Sequence, residues 1–428
     1  MSETEGTSLG GTSSGAATAS AADVLPLGKL AELLGLVSSV QAVTLFAVLA
    51  LPTLAPKAAP AFGVGAEAVG YQISLIYLVA ATFSGIAGFY ARRFGSATTS
   101  LAAVAISGST LLCFVTGNVL IAALASLALG IAYGMTNPAA SHLLWRFAPP
   151  NRRNLVFAIK QTGTPLGGVV VSLLLPVMAE WWGWQRAIVA STLMFLALCI
   201  ALWFKRPAWD DDRDPGARVR GGPLGSARAA MSNQTLRGLA ILGLAYAGYQ
   251  FCLFSFIVTM LVVEFGWPLI LAGWTATVMQ IGGMSGRIVW SMLADKLGGR
   301  GIELLVFIGL LSTLFGVVVA SMTPSWPPAL VVAILFTFGF CLVGWNGVFM
   351  AEAARASSPG NVGIATGGVL AFTFAGVVLG PSAFATLYKF LGNYALTYGV
   401  FALAPLIGVA ALVPVLRQNW AAAKLKAG

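Results

Sequence analysis

The chain has 428 residues, 58% of them hydrophobic and only 9% charged, where soluble domains average about a quarter charged. Apolar runs about 20 residues long recur along it, the length an α-helix needs to cross a bilayer, and that excludes a soluble globular domain. The net charge of +10 sits mostly in the short polar segments between the runs and gives no support to nucleic-acid binding.

Residues 1–28 are rich in Ser, Thr, Gly and Ala and carry Glu3, Glu5 and Asp23. They have neither a basic n-region nor a short apolar h-region, so a cleaved signal peptide is not expected. A disordered cytoplasmic tail is. Twelve spans follow. The first six are Leu33–Ala55, Val69–Ala91, Thr98–Val115, Val119–Leu144, Leu155–Met178 and Ala187–Phe204. One long polar segment, residues 205–237, carries Asp210, Asp211, Asp212 and Asp214 beside several arginines and divides the chain near its middle. The remaining spans are Leu239–Val263, Leu269–Leu293, Ile302–Met322, Ala329–Met350, Val362–Tyr388 and Ala395–Leu416. The expected organisation is therefore an all-α membrane protein with two six-helix bundles, 29–204 and 238–416. A cytoplasmic loop joins them, and 417–428 form a cytoplasmic tail.

Basic residues set the expected orientation. With the N-terminus inside, only Lys57, Arg186 and Lys389 of the 24 Lys and Arg lie outside, and Lys160 and Arg287 lie in the membrane. The reverse orientation inverts that ratio, so the positive-inside rule places both termini in the cytoplasm. Such a chain belongs in a plasma membrane of the bacterial inner-membrane type. Cys113, Cys199, Cys252 and Cys341 all fall in apolar runs without metal-ligand spacing and read as small buried hydrophobes.

The fifth span is the most informative. It follows Arg152 and Arg153, carries Lys160 and Gln161, and then runs through Gly163, Pro165, Gly167 and Gly168. Charge at membrane depth is costly and faces a protein interior or a watery cavity. Pro and Gly there are tolerated where neighbouring helices re-satisfy the backbone. Arg287 is the other cation at depth, and no Asp or Glu lies inside any span. Each cation is about six residues, or roughly 9 Å, from the cytoplasmic end of its span. Two cations without a protein anion point to an anionic substrate. The competing reading has Lys160 snorkelling to the interface and Arg287 bonded to helix-end carbonyls. Softer candidates are Tyr133 and Asn137 on the fourth span, Trp345 and Asn346 on the tenth, and Tyr246, Tyr249 and Gln250 on the seventh. The last three share a helix face by their spacing. Gln41 and Thr44 on the first span join them, each as readily a packing residue as a ligand contact. His142, beside Trp145 and Arg146, reads as an interfacial residue.

The halves repeat. GFYARRFG (Gly88–Gly95) answers SMLADKLGGR (Ser291–Arg300), pairing Arg92 with Asp295 and Gly95 with Gly298. GIAYGMTNP answers GFCLVGWN, and GTPLGG answers GVVLGP. Duplicated halves fit transporters that rock about a midplane site. On these motifs the chain resembles the major facilitator superfamily over nearly all its length. ADKLGGR, ending on Arg300, matches that family's loop signature, with Ser291 in place of its leading glycine. Arg92 stands where the family usually has an aspartate. GRIVWSMLAD further resembles the monocarboxylate and oxalate/formate branches, whose eighth helix carries a substrate-binding arginine at the position of Arg287. AIKQTGTPLGG resembles cyanate-type permeases. The resemblance implies two pseudo-symmetric six-helix bundles, with the fifth and eighth helices neighbours across their interface. It also implies a cytoplasmic latch in which Asp295 meets the start of the fifth helix near Arg152 and Arg153.

No Walker pattern, HExxH pair or activated nucleophile is present, so neither an enzyme, a cofactor, a metal nor an ATP-driven pump is expected. The expected function is secondary transport of a small, monocarboxylate-like or inorganic anion, with a proton or counter-substrate as coupling partner. An efflux carrier for apolar drugs is the alternative favoured by the aromatic content, and a transport-silent membrane sensor is the third. The two buried cations favour the anion.

Overall fold

The computed structural model describes residues 25–149, 153–217, 228, 230–231, 233–298, 300–357 and 362–427. Among these the chain is helical, without strands. The first half holds α1 (Leu27–Ala58), α2 (Val69–Phe94), α3 (Ser96–Phe114), α4 (Val119–Phe147), α5 (Arg153–Gln161), α6 (Gly163–Trp182) and α7 (Trp184–Trp209). The second holds α8 (Gln234–Val263), α9 (Leu269–Lys296), α10 (Gly301–Ser321), α11 (Pro328–Leu342), α12 (Asn346–Arg355), α13 (Val362–Leu391), α14 (Tyr394–Phe401) and α15 (Leu403–Ala427). Three expected spans are thus broken: the fifth at Thr162, the tenth over Val343–Trp345 and the twelfth at Ala402. Among the described residues, 11 helical stretches are long and apolar enough to cross a membrane. The 28-residue α9 is long enough but is not one of them, because Gln280, Ser285 and Arg287 dilute it.

Without a hydrophobic drive between helices in lipid, close packing depends on small residues. Gly167 brings α6 onto the Ala42 carbonyl of α1, and Gly376 brings α13 onto the Leu244 carbonyl of α8. A methyl group at either position would collide with backbone. The halves meet in the same way. Gly70 of α2 lies on the Pro381 carbonyl of α13, Gly273 of α9 on Ser172 and Pro176 of α6, and Gly168 beneath the Gln280 amide.

Side-chain hydrogen bonds between the halves among the described residues are Ser382 to Ser74 (2.5 Å), Tyr71 with Thr386 (3.0 Å) and Gln280 to Ser172 (3.1 Å). All lie midway or toward the end where α1 finishes and α2 begins. At the other end no such bond between two described residues joins the halves.

That other end is organised within the first half. The segment after α7, expected to be loop from Lys205, stays helical to Trp209 and then folds back. Asp210 accepts from Ala97 N (2.7 Å), Thr98 N (2.9 Å) and Thr98 Oγ1 (2.6 Å). It thereby covers the free N–H groups and positive dipole end of α3. Asp211 and Asp212 pair with Arg146 of α4 at 2.5 and 3.3 Å, Asp212 lies 3.8 Å from His142 Nε2, and Asp214 lies 3.7 Å from Arg92. Four acids fasten α2, α3 and α4 to the end of α7.

Candidate functional site

Lys160 sits on the last turn of α5, just before the break at Thr162. It does not snorkel. Its side chain is 3% exposed, and Nζ donates to Asn137 Oδ1 and, at 3.2 Å, to Gln161 Oε1. Gln41 Nε2 donates to the same Asn137 oxygen at 3.2 Å. An ammonium only donates, so Asn137 must turn its oxygen inward and leave Nδ2 open. Gln41 Oε1 is buried without a partner.

Arg287 is held by the break in the tenth span. The last carbonyls of a helix lack intrahelical donors, and at this break Val343 O accepts from Arg287 Nε at 3.3 Å and from Asn346 Nδ2 at 3.4 Å. Gly286 lies against the Phe340 carbonyl and brings α9 close enough for this. The helix-end carbonyl therefore takes only one of the five N–H donors of Arg287. The two Nη groups have no hydrogen bond among the described residues. Tyr133 stands one turn from Asn137 on α4, within electrostatic range of Arg287. Asn137, which holds Lys160, and Tyr133, four residues before it, lie on one face of α4. Tyr77 packs on Tyr133 (ring centroids 5.1 Å), Phe251 (4.7 Å) and Phe374 (6.1 Å), an aromatic bridge between the halves beside the site.

Gln250 Oε1 accepts from Trp345 Nε1 at 2.9 Å and from Asn346 Nδ2 at 3.4 Å, so these three belong to the same constellation through Val343. Tyr246 and Tyr249 do not. Their hydroxyls donate to Leu305 O (2.9 Å) and Tyr398 O (3.0 Å), inside the second half. His142 Nδ1 pairs with Ser96 Oγ at 3.1 Å. Of the expected gating residues, Arg92 faces Asp214. Asp295 is exposed and has no partner among the described residues, Gly298 makes the turn with φ +63°, and Arg300 is exposed ahead of α10. Arg152 lies outside the described residues, as does the side chain of Arg153. Sequence reasoning missed Tyr77, Gln280 and the Val343 carbonyl. One signal was available: Gln250 and Asn346 each follow Gln41 and Asn137 by 209 residues, so one pair recurs in both halves.

A duplicated, glycine-zipped helical bundle with buried polar groups in its interior defines a multi-pass transporter. The chain belongs to the Major Facilitator Superfamily, whose family model matches residues 34–367. A stretch of 183 residues is 30% identical to an uncharacterized MFS-type transporter of Mycobacterium tuberculosis, covering 40% of this chain and 37% of that one. Another of 205 residues is 30% identical to the gallate transporter of Pseudomonas putida, covering 47% and 42%. The chain thus matches less than half the length of these relatives. Among solved structures it resembles the nucleoside transporter NupG, with TM-score 0.74 and 14% identity over 90% of this chain and 99% of that one. It also resembles a POT family transporter in complex with 5-aminolevulinic acid, with TM-score 0.69 and 15% identity over 89% and 95%. At such identities the likeness shows the fold alone.

Proposed function

We propose that the chain is a secondary carrier for a small organic anion, held between Arg287 and Lys160 and moved by alternating access. The observation that carries this reading is the Arg287 guanidinium, tied by Nε and open at both Nη groups. Its planar fork suits a carboxylate bidentately. Among the described residues neither it nor Lys160 has a carboxylate partner, and two such cations in low dielectric favour an anion between them. Gallate, named for one relative, is a carboxylate, which agrees.

The distribution of basic residues orients the Asp210 end toward the cytoplasm of a plasma membrane. With that orientation, the cross-half bonds among the described residues, all midway or toward the opposite end, support an inward-facing reading. Bundles 29–204 and 238–416 are the rocking units, and Asp295 is the acid that would meet the first half on closure. A proton or a counter-anion supplies the coupling.

A thermal-shift screen of the purified protein against small carboxylates and inorganic anions tests the reading. A ligand of the folded state raises the transition temperature by mass action. A panel that leaves it unmoved at every anion overturns the proposal.

A further inference from the structure

The duplicated Gln–Asn pair presents opposite atoms in the two halves. In the first, the Lys160 ammonium and the Gln41 amide both claim Asn137 Oδ1, so the open atom is the donor Nδ2. In the second, the neighbour is the Trp345 indole, which can only donate and so fixes Gln250 with Oε1 toward it. Asn346 then gives its Nδ2 to Gln250 Oε1 and Val343 O. What remains open is an acceptor, Asn346 Oδ1, beside a donor, Gln250 Nε2. Neither has a partner among the described residues, and neither is among the walled-off polar atoms. Arg287 and Asn346 share one carbonyl oxygen, at 3.3 and 3.4 Å, so this pair adjoins the guanidinium.

A donor beside an acceptor complements a hydroxyl, which both gives and takes a hydrogen bond. It does not suit a second carboxylate, which would confront Asn346 Oδ1, nor an alkyl group, which would leave both atoms unpaired in a desolvated site. We infer that the substrate is a hydroxy-carboxylate, its carboxylate on Arg287 and Lys160 and a nearby hydroxyl between Asn346 Oδ1 and Gln250 Nε2. The inference rests on the anion reading above and narrows it.

Matched probes test it on the full-length protein in detergent or liposomes: lactate against propionate, and 3-hydroxybenzoate against benzoate, each by Kd. In at least one pair the hydroxylated member should bind roughly tenfold tighter, the weight of a net hydrogen bond or two. Asn346→Leu should collapse that ratio toward one. Lys160→Ala should weaken both members together and keep the ratio. Equal binding within both pairs by the wild-type protein overturns the hydroxyl assignment while leaving the anion reading intact, and needs no variant to fold. A ratio that survives Asn346→Leu overturns it too. Binding of no member at all overturns the anion reading, and this inference falls with it.

Discussion

In the first half a Gln–Asn pair stands beside a lysine, and in the second the same pair stands beside a tryptophan. The framework is shared: Gln41 and Asn137 bond between α1 and α4 as Gln250 and Asn346 bond between α8 and α12. One donor-only neighbour decides which way each amide faces. A duplicated fold can thus acquire a charged side and a neutral side without moving a helix. The pair is inherited, and its polarity is set by whatever packs next to it. The ends of the halves differ in the same manner. The turn bearing Arg92 is bound down by Asp214, whereas its counterpart Asp295 has no partner among the described residues.

Removing the charge that polarises the first half should have the largest effect. Lys160→Ala is expected to weaken anion binding by about 2–5 kcal/mol if the contact is desolvated, read by titration calorimetry on reconstituted protein. Wild-type affinity in a correctly folded variant would end the comparison. Arg287→Lys conserves charge but loses the fork and the Nε bond to Val343 O. It should cost about 1.5–3 kcal/mol of binding, the range for hydrogen bonds to charged groups, and most transport with it. Transport assays on liposomes check this.

Asp295→Asn sharpens the contrast between the two ends. Its carboxylate has no partner among the described residues, so on the proposed inward-facing reading the substitution should leave that state alone and destabilise only its closed counterpart. Cysteines placed in the cavity should then be labelled faster from the cytoplasmic side. An unchanged labelling rate removes Asp295 from the latch.

The smallest effect concerns the fastened end. The hydrogen bond from Arg146 holds the Asp211 carboxyl below its ordinary value of 3.8. A depressed folded value contributes stability that is fully present above about pH 4 and is lost as pH falls through it. Asp211 is largely exposed, so the contribution is small. As pH falls below about 4 the wild-type transition temperature should fall slightly more steeply than that of Asp211→Asn.

Much of the fold was legible because membrane spans announce themselves by length and apolarity. The two cations were legible for the converse reason, as charge at depth stands out. The breaks were not. Nothing in FCLVGWN distinguishes an interrupted helix from a continuous one, and the interruption at Val343 is what gives Arg287 its anchor. Helix spacing put Tyr246, Tyr249 and Gln250 on one face, but a face does not say which neighbour each tip reaches. Two hydroxyls found backbone carbonyls deep in the second half, and only the amide joined the site. Arg92 looked like a lost latch. Its partner lay more than a hundred residues away in a segment that reads as solvated loop, where long-range capping by Asp210 leaves no local trace.

The four acids after α7 also change how the two bundles are tethered. The polar segment spans residues 205–237, yet Asp214 within it donates its backbone N–H to the Arg92 carbonyl at 2.8 Å, and Asn233 is anchored to the Ala356 carbonyl. Cutting the polypeptide after Ala217 would leave those acids with the first half. Cutting it at Lys205 would take from the first piece the acids that bind its own helix ends together.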